Sequence, residues 1–181
     1  MQEPRVIISS KKLDIVLSRL CYELIETYGD FDNVCLIGIQ NKGAILAERL
    51  FERMKELADT SKLEFGKLDV TFYRDDFRKR KEVLKAFPTE MDFIVEKKCV
   101  VLIDDVLYTG RTINAALAAL QHYGRPEEVK LLCLVDRRYN RDLPISANFT
   151  GVKVDSLDEA YVNVTFAEKD GEDKIELYSK K

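Results

Sequence analysis

Hydrophobic residues in the first third of the chain follow the pattern of two amphipathic helices around a buried strand. Residues 11–29 carry apolar side chains at i, i+3, i+4 and i+7 spacing, which predicts a helix that ends near Gly29. Residues 34–39 form a short apolar run that predicts a buried strand. Residues 43–58 return to the helical spacing.

Further along, apolar runs predict strands that alternate with helical segments. Leu68, Val70 and Phe72 alternate with polar residues and predict a strand, and apolar runs predict two more at 98–103 and 130–135. A helix is predicted at 112–123. Near the end of the chain, the pattern predicts a strand with Val162, Val164 and Phe166 and an edge strand at Lys174–Tyr178. Strands interleaved with helices favour an α/β fold, with a mainly parallel central sheet flanked by helices. We see no internal repeat or linker, so residues 1–181 are expected to form one domain.

Composition places the chain among ordinary globular proteins. Of its 181 residues, 46% are hydrophobic and 34% are charged, which argues against disorder. The net charge of −3 provides no overall attraction to nucleic acid or to an anionic membrane. No apolar run approaches the ~20 residues of a membrane-spanning helix, and residues 1–12 lack the apolar stretch of a signal peptide.

The four cysteines are widely spaced in apolar contexts, with no CxxC pair and a single histidine, His122, in the chain. This set is typical of buried, reduced thiols in a cytoplasmic protein rather than of a zinc site.

The segment 100–112 carries the most specific chemistry in the sequence. Four apolar residues lead into Asp104 and Asp105, and a short loop with Thr109, Gly110 and Thr112 then opens into a predicted helix. Ligands of open α/β sheets bind beyond the carboxyl ends of the strands. A glycine-containing loop before a helix can surround a phosphate with backbone N–H groups, and two carboxylates can accept hydrogen bonds from vicinal hydroxyls. The segment therefore predicts a sugar-phosphate site.

Other phosphate-binding motifs are missing. The sequence has no GxxxxGK[ST] string, and no GxGxxG follows a predicted strand. The plain alternative for 100–112 is a strand that ends in an acidic turn before a capped helix.

The same segment resembles the phosphoribosyl pyrophosphate (PRPP) motif of the type I phosphoribosyltransferases. Its sequence from 104 to 112, DDVLYTGRT, most resembles a branch of the family that combines uracil phosphoribosyltransferase activity with regulation of pyrimidine operons. Three more segments agree in order and spacing: VCLIGIQNKGAILAERL at 34–50, LDVTFYRDD at 68–76 and LVDRRYNRDLPISANFTG at 134–151. The resemblance implies a type I phosphoribosyltransferase fold with a flexible hood loop at about 74–92.

The resemblance also implies roles for individual residues. Asp104 and Asp105 would contact the ribose hydroxyls of PRPP and balance positive charge at C1. Arg74, at the start of the hood, would reach pyrophosphate. The 5′-phosphate would lie in the loop formed by Val106, Leu107, Tyr108, Thr109, Gly110, Arg111 and Thr112. Pyrophosphate would lie at Asn41, Lys42 and Gly43, with a non-proline cis peptide expected between Asn41 and Lys42. The base would lie near Asp136, Arg137 and Val162.

Position 108 indicates the substrate base. Purine-specific members of the family have an aspartate there, so Tyr108 favours a pyrimidine. The resemblance thus implies that uracil and PRPP give UMP and pyrophosphate, with Mg²⁺ held mainly by PRPP and water rather than by protein ligands. Two alternatives stay open: an RNA-binding regulator that reads an mRNA leader and uses the site as a nucleotide sensor, and a transferase for another base. The resemblance further implies a homodimer or a higher oligomer.

Overall fold

The computed structural model describes residues 4–74, 86–139, 141–155 and 160–179. The larger sheet contains β2 (Val34–Ile39), β3 (Glu64–Leu68), β4 (Cys99–Leu107), β5 (Glu128–Arg138) and β6 (Phe149–Asp155). These five strands are parallel and lie in the order β3-β2-β4-β5-β6. The predicted mainly parallel sheet is therefore confirmed.

A second, antiparallel sheet joins the two ends of the described chain. It contains β1 (Arg5–Ser9), β7 (Ala160–Thr165) and β8 (Lys174–Ser179), in the order β1-β8-β7. The sequence predicted β8 as an edge strand, and this is wrong, because β1 pairs with its other side. The edge strands of this sheet are β1 and β7.

Helices cover both faces of the larger sheet. They are α1 (Ser10–Tyr28), α2 (Lys42–Leu57) and α3 (Arg111–Leu120). A single helical turn, α4 (Ala167–Asp170), lies between β7 and β8, and short 3₁₀ turns lie at Thr71–Tyr73 and Gln121–Tyr123. Side chains along each strand alternate between two hydrophobic cores, because successive side chains point to opposite faces of the sheet. On β4, Val101 and Ile103 pack with α1 and α2, whereas Val100 and Leu102 pack with α3.

The chain around β3 departs from its predicted course. The strand predicted from Leu68, Val70 and Phe72 ends at Leu68, because the chain then turns into a 3₁₀ helix at Thr71. Phe72 consequently lies 66% exposed. Of the predicted hood loop at 74–92, residues 75–85 lie outside the described part of the chain, and Glu90 pairs with Lys67 of β3.

Among the described residues, no helix has both the length and the apolar character that crossing a membrane requires.

Candidate active site

The acidic pair lies within the last residues of β4, not after them. β4 continues to Leu107 because Val106 and Leu107 still pair with Val135 and Asp136 of β5. Asp104 is 7% exposed, and its Oδ1 accepts a hydrogen bond from the N–H of Asp105 at 3.0 Å. Burial raises the pKa of Asp104 well above its ordinary value, and the negative charge of Asp105 raises it further. Burial also raises the pKa of Asp105, while the positive charge of Lys42 opposes that shift.

The start of α2 packs directly against this acidic pair. A Cβ on Gly43 would lie 2.5 Å from the carbonyl oxygen of Ile103 and 3.0 Å from the Cα of Asp104. Only glycine allows the two backbones to come this close. The predicted pyrophosphate turn and the predicted ribose site therefore share one end of the sheet.

The predicted cis peptide lies one bond earlier than expected. It joins Gln40 and Asn41, because Lys42 is already the first residue of α2 and follows the helical path from there.

The side chain of Lys42 crosses to the smaller sheet. Its Nζ donates to Oδ1 of Asn163 at 3.2 Å and to the carbonyl oxygen of Val164. The predicted pyrophosphate ligand therefore bridges α2 and the free edge of β7. Sequence reasoning missed Asn163, since nothing in the spacing of residues 42 and 163 indicates that they meet.

The predicted phosphate loop forms the turn between β4 and α3. Gly110 has φ +92°, a conformation that glycine adopts at little cost, and α3 begins at the next residue. A cleft of about 160 Å³ beside the loop is lined by Arg74, Asp104 and residues 106–113. Arg74 carries positive charge that lowers the pKa of Asp104 against the larger effect of burial. The structure thus brings the hood arginine, one carboxylate and the phosphate loop together.

Of the residues predicted to bind the base, Asp136 and Arg137 lie at the end of β5 and Val162 lies on β7. The guanidinium of Arg137, 4% exposed, lies 3.9 Å from the centre of the Tyr108 ring and donates to the carbonyl of Ala160 at 2.7 Å. Asp136 forms an ion pair with Arg141 at 2.6 Å. The side chain of Val162 is buried in the core, two residues along β7 from Ala160.

The site is not the largest cavity of the described residues. A cavity of about 710 Å³ lies between α1 and α2, where Arg49 and Arg53 contribute to its lining. Those arginines are paired with Asp173 and Asp14, so their charges are already balanced within the protein. Among the described residues, no group of three or more His, Cys, Asp or Glu side chains is arranged to hold a metal ion.

Comparison with known proteins agrees with this geometry. The family model described as the phosphoribosyl transferase domain matches residues 8–169. The chain is 37% identical over 184 residues to the "Bifunctional protein PyrR" of Bacillus cereus, and to its namesake in Bacillus anthracis, with 99% of this chain and 100% of each relative covered.

Solved structures show the same fold. A hypoxanthine phosphoribosyltransferase from Staphylococcus aureus superposes with a TM-score of 0.69 at 23% identity, covering 94% of this chain and 90% of that chain. The hypoxanthine phosphoribosyltransferase of Trypanosoma cruzi gives 0.71 at 14% identity, covering 98% and 97%. The chain therefore belongs to the phosphoribosyltransferase family and, within it, to the family of the bifunctional PyrR proteins.

Proposed function

We propose that this protein is a uracil phosphoribosyltransferase, which converts uracil and PRPP to UMP and pyrophosphate, and that residues 1–181 form one domain for this task. The observation that supports it most is the convergence at the end of β4. There, the buried Asp104 and the glycine turn into α3 line one cleft, and Gly43 at the start of α2 packs against the backbone of Asp104. This is the arrangement that a ribose carrying a 5′-phosphate and a leaving pyrophosphate requires.

In this proposal, the protein contributes position and charge. The residues 106–112 hold the 5′-phosphate, and Asp104 and Asp105 accept hydrogen bonds from the ribose hydroxyls. As the bond from C1 to pyrophosphate weakens, the two carboxylates stabilise positive charge on the ribose. The turn at Asn41, Lys42 and Gly43 receives the leaving pyrophosphate, and Arg74 adds positive charge from the side of the phosphate loop.

Mg²⁺ is the cation that this chemistry calls for. Asp104 and Asp105 offer the oxygen ligands that it prefers, but the described residues form no larger acidic cluster. An ion held mainly by PRPP and water, beside these two carboxylates, fits that donor set. When bound, it would neutralise charge on the leaving pyrophosphate.

The base is proposed to bind at the free edge of β7. The carbonyls of Ala160 and Val164 accept hydrogen bonds from Arg137 and Lys42, so the even-numbered residues of β7 turn their backbone groups away from β8. Val162 has the same parity, and its N–H and C=O therefore point outward between the two cations. One donor and one acceptor match the carbonyl and N–H on one edge of uracil.

The stacked Tyr108 and Arg137 support a pyrimidine over a purine. The pair connects the phosphate loop to β7, and a single-ring base needs less room beside it than a double-ring base.

The direct test is formation of UMP from labelled uracil, PRPP and Mg²⁺, with hypoxanthine, guanine and orotate assayed in parallel. We expect turnover with uracil and at least a hundredfold lower kcat/KM with the other bases. Turnover with a purine instead would show that the enzyme serves another base. Binding of UMP without any turnover would favour a nucleotide sensor.

A second function, UMP-dependent binding of an mRNA leader, is supported by the name of the bifunctional relatives and by one surface. The residues Lys11, Ile15, Arg19 and Tyr22 share one exposed face of α1, where Lys11 can contact a phosphate and the tyrosine a base. Arg19 already bonds to Glu23 and to the carbonyl of Gly151. Arg137 is buried beneath Tyr108 and belongs to the nucleotide site instead.

A gel shift with the leader of the organism's own pyrimidine operon, with and without UMP, tests this function. We expect a UMP-dependent shift that weakens as salt rises, and K11E and Y22A together should abolish it without affecting UMP formation. Absence of a shift at low salt would leave only the enzymatic function.

We further propose that the protein acts in the cytoplasm as a homodimer or a higher oligomer.

A further inference from the structure

The segment 141–145 runs along the back of the phosphate loop and bonds to its carbonyl groups. A guanidinium N–H of Arg141 donates to the carbonyl of Tyr108. The backbone N–H groups of Asp142 and Leu143 donate to the carbonyl of Thr109, at 3.0 and 3.2 Å. Two consecutive carbonyls of the loop are therefore turned toward the same neighbour.

This arrangement fixes where the N–H groups of the loop point. In a trans peptide, the N–H lies opposite the carbonyl, and the two peptide groups here are trans. The carbonyl of Tyr108 shares its peptide with the N–H of Thr109, and that of Thr109 with the N–H of Gly110. Both N–H groups consequently point away from residues 141–145 and toward the open side of the loop. Two successive N–H groups on one side of a turn form an anion-binding concavity.

Arg141 connects this loop to the rigid centre of the molecule. Its guanidinium also bonds to the carboxylate of Asp136 at 2.6 Å, and both side chains are largely buried, at 22% and 15% exposure. Hydrogen bonds that involve a charged donor are stronger than neutral ones. Because Asp136 lies on β5, Arg141 holds the carbonyl of Tyr108 at a set position relative to the central sheet.

We propose that Arg141 is a positioning residue for the 5′-phosphate. It orients the peptide groups from Tyr108 to Gly110 so that their N–H groups meet the phosphate, and it does so without touching the substrate. This inference rests on the proposed function, since it takes residues 106–112 to be a phosphate site.

The test measures how much the phosphate contributes to binding. Dissociation constants for UMP and uridine are measured by calorimetry or competition, and their ratio is compared among variants. We expect R141Q to lower the preference for UMP over uridine at least tenfold, and R141K to give an intermediate value, because an ammonium offers a point charge in place of the planar fork. R138Q is the matched control. Arg138 lies nearby at the end of β5, but its partner is Asp155 at the exposed surface, so the ratio should stay within twofold of wild type.

The outcomes separate this inference from the proposed function. A wild-type protein that binds UMP no better than uridine would contradict the phosphate site itself. If wild type prefers UMP and folded R141Q keeps that preference within twofold, the role of Arg141 is overturned. An equal loss of affinity for both ligands would also overturn it, since a general disturbance of the site does not depend on the phosphate. Should R141Q fail to fold, R141K decides between the same results.

Discussion

The two carboxylates at the end of β4 combine a functional task with an energetic cost. Asp104 is nearly inaccessible to water, and its backbone partner is the N–H of Asp105. A buried carboxylate beside another carboxylate resists ionisation, yet the proposed contacts with the ribose hydroxyls use it as an acceptor. The D104N/D105N double variant should therefore lower UMP formation by more than tenfold, about 1.4 kcal/mol of transition-state stabilisation. A loss smaller than this in a labelled-uracil assay would show that the pair does not perform the assigned role.

The same burial predicts a stability change in the single variant D104N. The pKa of Asp104 is raised in the folded protein, so its ionisation destabilises the fold as the pH rises from the unfolded pKa through the folded pKa. Replacing the carboxylate by an uncharged amide of similar shape should therefore raise the free energy of unfolding at pH 8. The gain should shrink as the pH is lowered toward 4.

Urea denaturation of wild type and D104N at several pH values measures this dependence. D142N serves as the control, because Asp142 is exposed and pairs with Arg111 at the surface. A stability gain in D104N that is constant with pH would show that the carboxylate is not the cause.

At the scale of elements, the contact between α2 and β4 sets the geometry of the site. Gly43 lets the first turn of α2 touch the backbone of Ile103 and Asp104. In G43A, the added methyl group must push α2 away from β4, at a cost of about 1–3 kcal/mol. We expect UMP formation to fall at least tenfold, since the turn at 41–43 then moves away from the acidic pair.

G29A is the matched control for this variant. Gly29 ends α1 with φ +63° and has no atom within 4 Å of an added Cβ, so alanine there costs about 1–2 kcal/mol of backbone strain but leaves the site in place. If both variants lose stability and both keep full activity by steady-state assay, the close contact at Gly43 serves the fold alone.

The elements show why some features were predictable from sequence and others were not. β2 matches its prediction at both ends because all six residues are buried and the apolar run is continuous. β1 was not predicted, since it is short, mostly exposed and irregular in register. β3 was predicted too late in the chain, from Leu68 to Phe72, because Gly66 and Lys67 interrupt the apolar pattern of residues 64–68.

The candidate site also has parts that the sequence predicts and parts that it does not. The acidic pair and the phosphate loop are contiguous, so their order along the chain indicates their chemistry. The bond from Lys42 to Asn163 spans 121 residues, and the bond from Arg141 to Tyr108 spans 33. Such contacts depend on how the sheets pack together, which no local spacing reveals.

At the scale of the whole molecule, α2 joins the two sheets. Its first residue, Lys42, bonds to β7, and Arg49 in its middle bonds to Glu168 and Asp173, which flank the turn before β8. The guanidinium of Arg49 also lies 4.9 Å from the centre of the buried Phe166 ring. The position of the β7 edge, and with it the proposed base site, therefore depends on two cations of one helix.

The variant R49M tests this connection. Hydrogen bonds from Arg49 lower the pKa of both Glu168 and Asp173. A lowered carboxyl pKa stabilises the fold above the unfolded pKa, and that contribution is lost as the pH falls through the folded pKa. R49M, which keeps the apolar contact with Phe166, should lose about 1–3 kcal/mol of unfolding free energy at pH 7, and its difference from wild type should decrease below pH ~4.

R49M should weaken the binding of uracil more than the binding of PRPP. Loosening the smaller sheet displaces β7 but not the end of β4, so the KM for uracil should rise several-fold while the KM for PRPP changes by less than twofold. The control K55M removes an exposed ion pair with Glu52 on the same helix and should change stability by less than ~1 kcal/mol with both KM values intact. Equal increases of the two KM values in R49M would mean that α2 positions the whole cleft rather than only the β7 edge. A loss of stability that persists at pH 3 would show that lost packing, and not the loss of the ion pairs, is responsible.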